Sequence, residues 1–378
     1  MNKYPPNIEQ FTSTGRKIFA HQEAVSMLRN GQGKPIVTHI MPTDLCNHSC
    51  AFCSVLTRVG ASLQFKQIAD YLRQLVPRGL KAVIVSGGGN PILYRDGQDN
   101  FDDLIEFISS LGLEIGLITN GMPMKNYGSR RSWKTVAPAT LDKLKWVRIS
   151  MAGLDHGERT VFVPDIDPSK TTLGFSYIYH DIYYDDAEKN HGKVSSPDDL
   201  ITPLVAGDAH RFVSGKNRFA WLRDEIHKIV ELSKPKYVRL LPNCLEVEKI
   251  AGRCEELQSM ANQINPDIAF VQYKPPQSPN VCYLGYFHPV LNSDGYVYPC
   301  DSCVLNKEAN HSFASPWRIC RWDEIGQIYD KPMASLIKNP HSQCPGCVFH
   351  KTNNLLEEIH RGEHQDVTSD SYEHPNFI

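Results

Sequence analysis

Three observations predict an α/β fold: a parallel sheet of six repeats, then a smaller cysteine-rich α+β module. Short apolar runs alternate with helical stretches between residues 36 and 245. The residues suited to chemistry sit where those runs end. The 11 cysteines are grouped rather than spread evenly.

The first 35 residues fit one helix, Arg16–Arg29. Ile36–Met41, Ala82–Ser86, Glu114–Thr119, Val147–Met151, Thr172–Tyr179 and Tyr237–Leu241 read as strands. Between them, Phe65–Val76 carries Ile68, Tyr71, Leu72 and Leu75 at helical spacing, and Phe101–Leu111 and Arg218–Leu232 repeat the pattern. Repeated βα units imply a parallel sheet with right-handed crossovers. A partial (β/α)6 barrel is one solution and an open doubly wound sheet is the other. In both, chemistry gathers at the carboxyl ends of the strands. Cys46 follows the first strand, Gly87-Gly88-Gly89 the second and Asn120-Gly121 the third, and Ser150 ends the fourth.

Residues 181–215 form a strand-poor insertion, read as a lid. His180, Tyr183, Tyr184, Asp185 and Asp186 are its candidate pocket residues, His180 and Tyr183 also as catalytic candidates. The expected divisions are an N-terminal extension (1–35), the barrel (36–245), a cysteine-rich domain (246–350), and a helix with a polar tail (351–378). Asn292-Ser293-Asp294-Gly295 is a hairpin signal inside the third.

Composition sets limits. Apolar residues make up 41% and charged residues 22%, an ordinary globular mix. The net charge of −2 excludes a surface that binds nucleic acid all over and leaves only a local patch for it. No apolar run approaches membrane-spanning length. The N-terminus shows no secretory signal, so a cytoplasmic, reducing location is expected, where clustered cysteines bind metal or do chemistry.

Cys46-x3-Cys50-x2-Cys53 sets three thiols on one loop after a strand, with His48 as the nearby alternative ligand. A closed [4Fe–4S] cluster takes four cysteines, so three leave one iron open. A zinc knuckle using His48 or a distant cysteine is the competing reading. The spacing, with Phe52 before the last cysteine, resembles the radical S-adenosylmethionine superfamily. That resemblance favours the partial barrel and implies that S-adenosylmethionine chelates the open iron. It implies that Gly87, Gly88, Gly89 and Asn90 bind the methionyl ammonium, although Asn90 stands where the family usually has an acid. It further implies that Ser150 contacts the cofactor ribose, with Asn120 a second polar candidate, and that Phe52 presents its backbone to adenine. A flavodoxin- or ferredoxin-like electron donor is the implied partner.

The second cysteine group runs Cys282-x12-Gly295-x4-Cys300, then Cys344-x2-Cys347. A cysteine on either side of a hairpin and a later CxxC offer four thiolates, enough for a second [4Fe–4S] cluster. The arrangement resembles the Twitch module, a short form of the SPASM domain, which implies Cys282, Cys300, Cys344 and Cys347 as auxiliary-cluster ligands. A zinc ribbon on Cys300, Cys303, Cys344 and Cys347 is the rival. A full two-cluster SPASM would also need Cys303 and Cys320. Cys244 ends the sixth strand and is a catalytic candidate, while Cys254 reads as structural.

The expected activity is radical oxidation or rearrangement of a small-molecule or nucleotide-type substrate. Arg130, Arg131 and Trp133, within a basic aromatic loop after the third strand, are the substrate candidates. Only about 35 residues precede the first strand, which lowers the expectation of a leader-peptide reader. A peptide maturase, a modifier of bases in nucleic acid and a non-catalytic iron–sulfur or zinc protein are the alternatives.

Overall fold

The computed structural model describes residues 11, 15–48, 50, 52, 53, 58, 60–121, 136–155, 161–180, 216–243, 249–272, 277–304, 315–340, 347–364 and 372–378. Its strands are β1 (Val37–Ile40), β2 (Ala82–Val85), β3 (Arg95–Asp96), β4 (Asp99–Asn100), β5 (Glu114–Thr119) and β6 (Trp146–Ser150). They continue with β7 (Thr172–Tyr179), β8 (Tyr237–Pro242), β9 (Ala269–Val271), β10 (Val290–Leu291), β11 (Tyr296–Tyr298) and β12 (Cys320–Arg321). All six expected strands are present, within a residue at each end. The chain divides into two compact units, one of residues 1–8, 46–54 and 118–273, the other of 9–45, 55–117 and 274–378.

In the second unit β1 lies parallel between β2 and β10, and β2 pairs in parallel with β5 through Leu117. All four residues of β1 and of β2 are buried, as expected of parallel strands covered on both faces. The edge of β1 is closed by β10 in the register His39↔Val290, Ile40↔Leu291. The expected hairpin follows as antiparallel β10–β11, with Gly295 in the turn at φ 79°, and β12 adds to β11. The helix Phe65–Leu75 buries Ile68, Tyr71, Leu72 and Leu75 and starts with a Gln64–Gln67 capping box. Asn100 and Asp103 cap Phe101–Ser110 in the same way.

Here the structure departs from expectation at both chain ends. Arg16–Arg29 is not one helix. A 3-10 segment, Gly15–Ala20, is followed after His21 by the helix Gln22–Arg29. Lys17, Ile18 and Phe19 are buried in succession, so this segment is covered on more than one side. The Lys17 ammonium donates to the Phe377 carbonyl at 3.2 Å, and burial lowers its pKa to about 7. The segment read as a polar tail buries His374, Phe377 and Ile378.

In the first unit β6, β7, β8 and β9 run parallel in that order. Registers place Ser150, Ser176 and Arg239 in one row, and Arg148, Gly174 and Tyr237 in the next. Ile149, Phe175 and Val238 alternate with these rows and are fully buried. β9, absent from the expectation, extends this parallel set. Among the described residues no helix is long and apolar enough to cross a membrane.

Candidate functional site

The first unit carries the three-cysteine loop. Cys46, Cys50 and Cys53 are half-buried, and Cys53 N–H donates to the Cys50 carbonyl at 3.0 Å. His48 N–H donates to Cys46 Sγ at 3.5 Å. Asn120, at the end of β5, donates from Nδ2 to Asn47 Oδ1 at 3.0 Å. Gly121 follows at φ 77°, and a Cβ there would sit 2.5 Å from the Phe162 carbonyl oxygen. The backbone can therefore turn after Asn120 only as glycine.

Phe52 packs against His180 with ring centroids 5.0 Å apart and ring planes tilted by 48°. His180 is wholly buried at the end of β7, with Nε2 3.5 Å from Asp155 Oδ2. Tyr177 OH donates to Asp155 Oδ1 at 2.6 Å. Asp155, which the sequence did not single out, thus joins a buried chain from Phe52 through His180 to Tyr177. No short motif links residues 52, 155, 177 and 180; the fold joins them.

Ser150 is half-buried and pairs with Ser176. Its row includes Arg239, which donates to Gln272 Oε1. A Cβ at Gly174 would lie 2.1 Å from the Tyr237 ring, so this glycine makes room for the phenol. Burial raises the Tyr237 pKa, while Arg148 and Arg239 act to lower it.

The glycine loop belongs to the second unit. A Cβ at Gly89 would stand 2.0 Å from the Leu45 carbonyl oxygen, and one at Gly87 would stand 2.9 Å from the Gly89 oxygen. Asn90 N–H donates to that Leu45 carbonyl at 2.7 Å. Backbone packing therefore already requires glycine at Gly87 and Gly89. Asn90 is buried, and its Oδ1 accepts from Ile92 N–H at 3.4 Å, capping a 3-10 turn. Gly88 is buried as well.

The second unit also gathers the later cysteines. Cys282, Cys300 and Cys347 are buried and line one small space with Ile337, Phe349 and Asn353. The Cys282 carbonyl accepts from Leu336 N–H at 3.0 Å, and its N–H donates to Ser335 Oγ at 3.2 Å. Three buried thiols around one largely apolar space suit an iron–sulfur cluster in donor chemistry. Cys320 lies on β12, where burial pushes its thiol up to about 12. Burial also raises Cys254. Among the described residues, no three His, Cys, Asp or Glu side chains meet closely enough to hold a single metal ion.

Cys244, Cys344, Tyr183, Arg130, Arg131 and Trp133 lie outside the described residues, as does the 181–215 insertion.

No curated protein matches the sequence. Streptococcus suis SuiB bound to S-adenosylmethionine is similar in fold at 14% identity and TM-score 0.50, over 88% of this chain and 73% of that one. SuiB bound to precursor peptide SuiA gives 15% identity and TM-score 0.45, over 75% of this chain and 64% of the other, so this chain spans less than two thirds of that protein. anSMEcpe with bound AdoMet and Cp18Cys peptide gives 14% identity and TM-score 0.44, over 86% and 83%. The family model described as Radical SAM superfamily matches residues 40–159, which include the three-cysteine loop, the glycine loop, Asn120 and Ser150. Over those residues the chain carries a domain of the Radical SAM superfamily, on an α/β fold of parallel strands that agrees with the expected partial barrel.

Proposed function

We propose that this protein is a radical S-adenosylmethionine enzyme with an auxiliary [4Fe–4S] cluster that oxidises or rearranges a small-molecule or nucleotide-type substrate. The observation that carries the reading is the Cys46-x3-Cys50-x2-Cys53 loop after β1, inside the segment matched by the family model. Cys46, Cys50 and Cys53 hold the first cluster in this reading, and Gly87, Gly88, Gly89, Asn90, Asn120, Ser150 and Phe52 are the residues offered to S-adenosylmethionine. When bound, the pair supplies a 5′-deoxyadenosyl radical that abstracts a substrate hydrogen.

The chain's own residues prepare that chemistry. Asn120 orients the cysteine loop through Asn47. Phe52, within the loop, packs against the buried ring of His180. Arg239, in the row with Ser150, and Arg148, in the row with Gly174 and Tyr237, suit a substrate that carries an anionic group.

Support for the auxiliary cluster comes from Cys282, Cys300 and Cys347 lining one space. Cys344 completes the set in this reading. A full complement of four thiolates suits electron transfer rather than substrate binding. A peptide substrate, as named for SuiB and anSMEcpe, and a base in nucleic acid are competing outcomes.

Anaerobic reconstitution with iron and zinc counting tests the cluster reading. About eight irons per chain, falling to about four in Cys282→Ser, is expected. About four irons with one zinc in the wild type overturns the auxiliary cluster in favour of a zinc ribbon.

A further inference from the structure

Asn353 is the fourth residue of the helix His350–His360 and is 1% exposed. Its Oδ1 accepts two successive backbone N–H groups, from Tyr283 at 2.7 Å and Leu284 at 2.9 Å. Those two residues directly follow Cys282. Because both donors face one end of the amide, that end must be the oxygen, which fixes the other end as the NH₂ group. That group points at Cys347 Sγ, 3.9 Å away. Asn353 itself lines the space shared with Cys282, Cys300 and Cys347. One side chain therefore clamps the turn after one cysteine and directs an N–H dipole at the sulfur of another, 65 residues further along the chain.

We propose that Asn353 is a positioning residue for the auxiliary cluster, and that its Nδ2–H raises the cluster's reduction potential through the Cys347 sulfur. The inference rests on the auxiliary-cluster reading. Reduction adds negative charge, part of which falls on the cysteine sulfurs. An N–H aimed at such a sulfur stabilises the reduced state more than the oxidised one. The apolar lining from Leu284, Ile337 and Phe349 lowers the local dielectric and strengthens that single dipole. An auxiliary cluster that takes an electron from a substrate radical needs a potential high enough to accept it, and Asn353 moves the potential in that direction.

Asn353→Asp separates the two roles. A carboxylate still offers oxygen to the Tyr283 and Leu284 N–H groups, but it turns an acceptor rather than a donor toward Cys347. The experiment is an electrochemical titration of the reconstituted full-length protein, followed by electron paramagnetic resonance. The expected result is a lower midpoint potential for the auxiliary cluster, with about eight irons retained and the potential of the first cluster unchanged. An unchanged midpoint with about eight irons overturns the inference and leaves the auxiliary cluster standing. About four irons in the wild type overturns the auxiliary cluster itself.

A carboxylate's charge also lowers the potential by itself, so the wild type decides on the N–H whether or not the Asp variant loads its cluster. Pulsed electron–nuclear spectroscopy of the reduced auxiliary cluster after exchange into D₂O, with ¹⁵N-labelled asparagine, should show an asparagine N–H coupled to it. Absence of that coupling overturns the inference.

Discussion

Asn120 Nδ2 donates to Asn47 Oδ1 at 3.0 Å, tying the end of β5 to the residue after Cys46. A neutral hydrogen bond of this kind contributes about 1 kcal/mol, or roughly a fivefold effect. Asn120→Ala should keep the full iron content and slow 5′-deoxyadenosine formation about fivefold. A wild-type rate in that variant would show that the cysteine loop holds its shape without Asn120.

The buried pair His180–Asp155 predicts a stability effect. In Asp155→Ala the Tyr177 hydroxyl and His180 lose a carboxylate partner inside the protein. Leaving a buried hydroxyl and imidazole without that partner costs about 1–3 kcal/mol. Chemical denaturation should show a loss of that order, with Tyr177→Phe milder because the carboxylate keeps His180. Equal losses in the two variants would contradict the arrangement.

Two glycines predict opposite outcomes. At Gly89 a methyl group would meet the Leu45 carbonyl at 2.0 Å, against backbone that has no rotamer to change. Gly89→Ala should therefore give little soluble, folded protein. Gly252 lies in the helix Ile250–Ile264 with nothing within 4 Å of its Cβ position. Gly252→Ala should stabilise by about 0.5–1 kcal/mol. A Gly89→Ala protein as stable as wild type in a thermal melt would remove the packing explanation for the glycine loop.

Lys17 predicts a pH dependence. Burial lowers its folded pKa to about 7, below the ordinary value of 10.5. Between those values the unfolded chain binds a proton that the folded chain does not, so stability from this group rises with pH across the window. The slope is at most about 1.4 kcal/mol per pH unit. Lys17→Met removes the titration but also the bond to the Phe377 carbonyl. Wild type should therefore gain on the variant as pH rises from 7 to 10. A constant difference would mean that Lys17 stays charged when folded.

Much of the architecture was legible because parallel strands are buried on both faces and appear as apolar runs of four to eight residues. β2 carries that mark outright, while β6 and β8 interrupt it with Arg148 and Arg239 on rows that alternate with the buried one. β9 has three residues, too few for the pattern to register. The β3–β4 hairpin is marked in the sequence by Asp96-Gly97, but its strands are only two residues each. The Arg16–Arg29 reading failed because the burial of Lys17 is decided by residues 360 positions away. In the site, cysteine spacing is a local property and could be read. Asp155, Asn353 and the packing role of Gly89 depend on partners brought together only by the fold.

The central claim is radical initiation by the three-cysteine loop, and 5′-deoxyadenosine production tests it most directly. Reconstituted wild type, reduced with dithionite in the presence of S-adenosylmethionine, should form 5′-deoxyadenosine, while folded Cys50→Ala should form none. Wild type that holds about eight irons yet yields no 5′-deoxyadenosine, or a Cys50→Ala variant that yields as much as wild type, would contradict the account.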